Sequence, residues 1–195
     1  MEEHMENTRE MLIKWLKVLL IAQIVNIATT LIGALGIFGT VTKVIVYARN
    51  VCVIYALFQL ARLTERYRKA FLFSAVAFAG NLLYIVLPGL TFAGLVLTIC
   101  ATVASYQEYQ GHGEIVESMD ENLAGKWRRL FWLEFLLGLA VSFAAVVIVL
   151  LFTSLGGSEA ASVTLSTVLA GAISLLWQLL YLSYMKKTLA LLEKE

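Results

Sequence analysis

The sequence predicts an all-α, polytopic membrane protein, a six-transmembrane-helix bundle built as a single integral membrane domain over residues 1–195. Three observations carry that reading. Hydrophobic residues make up 60% of the chain and charged residues 15%, with a mean hydropathy of +0.81, whereas a soluble domain is about half apolar and about a quarter charged. The apolar residues come in long blocks, which suits spans of about 20 residues. Pro88 is the one proline, and no series of roughly ten-residue alternating segments occurs, so the spans are helices and not barrel strands.

Helix 1 is predicted over residues 12–35 and closes on Gly33, Gly36 and Gly39. Its acidic lead, MEEHMENTRE, lacks the basic region of a secretory signal, so the helix reads as retained. Helix 2 covers 41–62 and runs into the most basic turn of the chain, with Arg62, Arg66, Arg68 and Lys69. Helix 3 covers 69–87 and stops at Pro88-Gly89; helix 4 covers 90–106. In the polar stretch from Tyr106 to Arg129, Ile115, Val116, Met119 and Leu123 fall at helical spacing. They predict an amphipathic helix on the membrane surface. Helix 5 covers 130–153 and helix 6 covers 163–185.

Lysine and arginine orient these spans. One side holds Arg9, Lys14 and Lys17, the Arg62–Lys69 turn, Lys126, Arg128 and Arg129, and Lys186, Lys187 and Lys194; the other holds Lys43. The positive-inside rule puts the first side and both termini in the cytoplasm, with the bundle in the plasma membrane. An even number of spans is then required, and six satisfies it. The net charge of +1 gives no reason to expect nucleic acid.

The chain also carries a faint repeat. A shift of 55 residues superposes Glu10 on Glu65, Lys14 on Lys69 and Asn26 on Asn81. A further shift of 57 brings Lys69 onto Lys126 and Ala70 onto Trp127, which also matches Trp15. The pattern suggests three helical hairpins entered alike from the cytoplasm, although a Glu and a Lys four residues apart are an ordinary pair at any helix start.

Arg49 is the sharpest chemical feature. It lies eight residues inside helix 2, about 12 Å deep at 1.5 Å per residue. An arginine there costs at least about 2.5 kcal/mol and faces the bundle interior or a wet cavity. Its guanidinium fork suits carboxylate and other anions. Asn50 beside it, Gln23 and Asn26 in helix 1, and Asn81 in helix 3 add amides at depth. Singly, such amides are interhelical glue. Together, Arg49, Asn50, Gln23, Asn26 and Asn81 form the expected ligand-binding set, with Gln178 at similar depth.

Other features read as structural. Glu134, one turn inside helix 5, is expected to pair with Arg128 or Arg129. His112, among Glu108, Glu114, Glu117, Asp120 and Glu121, is expected at a solvated surface and not at a metal site. Cys52 and Cys100 lie in apolar spans and pack as small hydrophobes. Gly138, Ser142 and Ala145, and Ser162, Ser166, Ala170 and Ser174, are small-residue stripes for helix packing.

No zinc-protease, serine-hydrolase or Walker motif occurs, so no catalytic residue, metal or cofactor is expected. The expected role is binding or transport of a small polar or anionic solute through a polar site in the bundle. Its expected partners are membrane lipid, that solute, and either a protein partner or a second copy. The competing expectation is a non-catalytic membrane subunit whose partner docks on the turns Arg62–Lys69 and Tyr106–Arg129. In size and topology alone the chain resembles the substrate-binding subunits of energy-coupling-factor vitamin transporters; none of their sequence motifs is matched.

Overall fold

The computed structural model describes residues 2–34, 39–86, 91–155 and 158–194. It contains α1 (Glu2–Ala34), α2 (Gly39–Leu60), α3 (Glu65–Val86), α4 (Thr91–Val116), α5 (Glu121–Ser154) and α6 (Glu159–Leu192), with no strand among the described residues. The helices form a ring. Each packs against its chain neighbours, and α6 closes against α1. Segments of α1, α2, α5 and α6 are long and apolar enough to cross a membrane. Of the predicted turns, residues 36–38, 88–90 and 156–157 lie outside the described residues.

All helices but α2 are longer than predicted, and mostly at the same end. α1 has 33 residues, and α5 and α6 have 34 each. At 1.5 Å per residue these reach about 50 Å, against about 30 Å of bilayer hydrocarbon. The excess projects at the end that carries both termini, called the basic end below.

The predicted surface helix between spans 4 and 5 is not formed. Instead α4 runs on to Val116 and α5 starts at Glu121. Val116 and Leu123, read as membrane-facing, are 0% and 2% exposed because they pack into the core of the projecting end. Asp120 stops one helix and starts the next: its carboxylate accepts from the Leu123 amide at 2.9 Å. This N-cap satisfies a donor that the helix start leaves orphaned.

Nearly all tight packing is at the basic end. Leu16, Leu57, Leu60, Tyr67, Trp127, Leu130 and Met185 are essentially inaccessible there. Under the shifts of 55 and 57 residues, Leu12, Tyr67 and Ala124 align, and all three are buried. Arg9 Nε donates to the Leu192 carbonyl at 2.7 Å and Lys17 pairs with Glu193 at 2.7 Å, so the two chain ends are tied together. The Lys17 pair is exposed and contributes below about 1 kcal/mol; the apolar core dominates.

Toward the opposite end the packing opens. On α5, Leu136, Leu139, Phe143, Val146 and Leu150 are all exposed. The expected packing of the Gly138–Ser142 stripe does not occur within this chain: a Cβ on Gly138 would meet nothing within 4 Å. Of the stripe on α6, the Ser162 side chain lies outside the described residues. Apolar side chains facing lipid gain little from burial, because lipid tails are as apolar as they are.

This asymmetry sets a stability prediction. Trp127→Ala should cost about 3–5 kcal/mol, the range for emptying a large core site, in denaturant unfolding of the purified protein in micelles. Leu136→Ala should stay within about 0.5 kcal/mol. Equal losses at the two positions would show that the outer half of α5 is packed after all.

Candidate functional site

The core-facing stripes of the helices change character along the bundle. On α3 the stripe runs Tyr67, Ala70, Ser74, Ala77, Asn81, Tyr84; on α4 it runs Val116, His112, Tyr109, Ser105, Thr102, Thr98; on α5 it runs Trp127, Phe131, Glu134. Spacings of three and four keep each series on one helix face. At the basic end these side chains are packed. Further on they border open space.

The packed part contains a buried polar network centred on His112, which is fully inaccessible. Tyr67 Oη lies 2.7 Å from His112 Nδ1, and Tyr181 Oη lies 3.1 Å from Nε2. Tyr181 donates to Glu108 Oε1 at 2.7 Å, and that carboxylate is 3.4 Å from His112 Nε2. The indole of Trp127 lies over the imidazole, ring centroids 4.5 Å apart, and donates Nε1–H to Thr188 Oγ1 at 3.0 Å.

These contacts set the hydrogen-bond directions around the imidazole. The Tyr181 proton is committed to Glu108, so Nε2–H donates to the Tyr181 oxygen, and Nδ1 accepts from Tyr67. Tyr67 lies ahead of the predicted span at 69–87. Burial, and then the nearby Glu108 and Glu114 carboxylates, hold its phenol well above the ordinary tyrosine value, so it remains a donor. The result is a one-way chain, Tyr67 to His112 to Tyr181 to Glu108.

A second chain lies one turn further along. Trp177 Nε1 donates to Tyr109 Oη at 3.3 Å, and Tyr109 donates to Glu134 Oε2 at 2.8 Å. Glu134 is half-buried, and with Asn81, Tyr84, Ser105, Phe131 and Phe135 it lines a groove of about 540 Å³ between α3, α4 and α5. The groove continues upward to Gly94, about 16 Å along α4 from Ser105 at 1.5 Å per residue. Glu134 is thus at its floor, with Tyr109 and the aromatic core beneath it.

Sequence-predicted residues fall out as follows. Arg49 donates to Asn50 Oδ1 through Nε, at 3.1 Å, and through Nη2. Glu108 and Tyr181 are within electrostatic range of its guanidinium. Asn81 lines the groove, with Nδ2 donating to the Ala77 carbonyl at 2.9 Å. Gln23 and Asn26 are half-buried on α1, and the Asn26 carbonyl takes the Thr29 and Thr30 hydroxyls. The structure joins Arg49 to Asn50; no hydrogen bond among the described residues links that pair to Gln23, Asn26 or Asn81. Gln178 is 5% exposed, and its Oε1 accepts no hydrogen bond among the described residues.

Three expectations are corrected. His112 is not at the surface but at the centre of the core, because α4 continues a full two turns beyond the predicted end of its span. Glu134 does not pair with Arg128 or Arg129; Arg128 reaches back to Glu117 at 2.7 Å, and Glu134 points inward to Tyr109. Glu108 is likewise no solvated carboxylate, since it accepts from Tyr181 at 2.7 Å beside the buried His112; Glu114 stays at the surface, paired with Arg66 at 2.9 Å, an interaction that raises the arginine's pKa. The signal that would have found His112 is the unbroken stripe from Ser105 through Tyr109 and His112 to Val116. No group of three His, Cys, Asp or Glu side chains able to hold a metal comes together among the described residues.

Fold and site together define a helical membrane protein with a packed polar floor and an open polar groove above it. No family model, no curated protein and no solved structure matches the chain. The likeness to vitamin-transporter subunits therefore rests on size and topology alone.

The hydrogen-bond chain predicts non-additive stability. Tyr67→Phe leaves the buried Nδ1 without a donor and should cost about 1–3 kcal/mol. In a His112→Phe background the same substitution should cost far less, with a coupling of about 0.5–3 kcal/mol in a double-mutant cycle read by unfolding midpoint. Strict additivity would remove the contact from the account.

Proposed function

We propose that this protein binds or moves a small polar solute, using the groove between α3, α4 and α5 and the polar stripe residues around it. The observation that carries the reading is Glu134, a carboxylate inside a predicted span that lies in the groove wall and is wired to the core through Tyr109. Ionisable groups at such positions face water-filled cavities and mark solute or ion paths. The groove's volume lies in the range of small-molecule sites, about 300–1,000 Å³. Asn81 belongs to its lining; Arg49 and Asn50 act from α2 as a counter-charge to Glu108, and Gln23 and Asn26 contribute amides from α1. The basic end faces the cytoplasm of a plasma membrane in this reading, and no chemical step is catalysed.

The second reading, a subunit that docks a cytoplasmic partner, has one supporting observation. Arg62 is exposed at a cleft between α1 and α2 lined also by Glu10, Lys14, Trp15 and Gln59, and Arg68 is exposed on α3. Arg66 is less suitable as its probe, because it is already engaged at the surface by Glu114 and Gln107.

Water access tests the first reading. In a background with Cys52 and Cys100 replaced by alanine, Ala101→Cys in the groove and Arg49→Cys should react with a membrane-impermeant thiol reagent, while Val146→Cys on the exposed face of α5 should not. Two unreactive positions in correctly folded protein would sink the polar-site reading. A stoichiometric partner recovered with the wild type and lost on charge reversal of Arg62 and Arg68 would establish the second.

A further inference from the structure

Within the projecting core and the groove above it there are two inward-facing carboxylates and one inward-facing arginine. The arginine serves Glu108: its guanidinium is in range of Glu108 and of Tyr181, which itself donates to Glu108. His112 adds a second nitrogen 3.4 Å from the same carboxylate. Glu134 has none of this. Among the described residues it makes no ion pair, and the charged side chain in its electrostatic range is Glu108, of like sign. Its protein partner is a phenol, which helps a carboxylate but does not neutralise it.

The rest of the groove supplies aromatic faces. Phe131 and Phe135 stack with centroids 6.0 Å apart and planes 15° apart, and Tyr84 stands on the facing wall. Ser105, Thr98, Thr102 and Asn81 add hydroxyls and an amide, but no lysine, arginine or histidine lines the groove among the described residues. An anion would meet a carboxylate there with nothing to hold it. A carboxylate beside aromatic rings instead matches an ammonium group, which draws on the ion pair and on the negative ring faces.

Resting on the reading that this groove is a solute site, we propose that it takes a substituted ammonium, with Glu134 as the counter-charge and the Phe131, Phe135 and Tyr84 rings against the alkyl groups. Glu134 lies four residues inside the predicted start of its span, about 6 Å. At that depth the ammonium could come from a free solute or from the headgroup of a choline lipid.

The test uses the full chain carrying Ala101→Cys, without its native cysteines, in nanodiscs of phosphatidylglycerol. Choline is exchanged for sodium at constant ionic strength, and 3,3-dimethyl-1-butanol, its uncharged isostere, serves as the control. Choline should slow thiol labelling about tenfold, the isostere less than twofold, and Glu134→Gln should abolish the difference. In phosphatidylcholine nanodiscs, slow labelling without added choline would identify the lipid headgroup as the source. Equal protection by the isostere or by sodium would overturn the ammonium assignment and leave a polar site. Labelling that choline does not slow would overturn it too. The comparison of choline with its isostere needs no substitution at Glu134, so a misfolded Glu134→Gln leaves the proposal testable. Absence of any labelling, seen before choline is added, would instead defeat the solute-site reading on which the proposal rests.

Discussion

The structure depends on a change of solvent along its length. Hydrophobic burial drives packing where the alternative is water, and it drives almost none where the alternative is lipid. The basic end projects beyond bilayer thickness, and there Leu16, Leu60, Tyr67, Trp127 and Met185 form a core as tight as that of a soluble bundle. Within the apolar spans the same helices spread, and α5 exposes Leu136, Phe143 and Val146. The ring of helices is therefore held from one end. The groove between α3, α4 and α5 lies above that end, where the helices spread.

The polar residues follow the same gradient. In the packed end a polar side chain must be fully paired, since an orphaned buried group costs about 1–3 kcal/mol. The His112 chain meets that demand: Tyr67, Tyr181, Glu108 and Thr188 each have a partner at hydrogen-bonding distance. Above the floor the demand relaxes, because open space admits water or a solute. There Glu134 has no cation among the described residues. Incomplete satisfaction marks the region where something from outside the chain completes the set.

Much of the fold was legible because long apolar runs and basic turns are strong signals. Helix number and order followed from them. Helix ends did not, since a hydropathy reading stops at the first polar cluster, and Gln107, Glu108, Gln110 and His112 make such a cluster. What carries α4 onward is a one-sided stripe of Tyr109, His112 and Val116, visible by helical spacing and invisible by average polarity. Arg49 was legible as a charge needing a partner, and the structure gives it the neighbouring Asn50 amide oxygen. Glu134 was seen, but the nearest cations in sequence, Arg128 and Arg129, drew it to the wrong face. Arg128 lies six residues from Glu134, which puts the two side chains on opposite sides of a helix turning 3.6 residues at a time.

The hairpin repeat gives Glu134 a sharper meaning. Under the shifts that align Leu12, Tyr67 and Ala124, the positions equivalent to Glu134 are Ala22 and Ala77, both 6% exposed. Two hairpins thus place a small packed side chain at this level, and the third places a carboxylate. A repeat that served packing alone would have no use for that exchange, because a charge near hydrocarbon costs free energy that alanine does not. The neighbouring level tells the opposite story: Trp15, Ala70 and Trp127 vary in size, but all stay apolar, and Ala70 and Trp127 are fully buried. The three hairpins therefore keep their apolar character where water would otherwise enter and depart from it at the groove floor. That departure, on one hairpin of three, gives an otherwise ring-like bundle a single polar side.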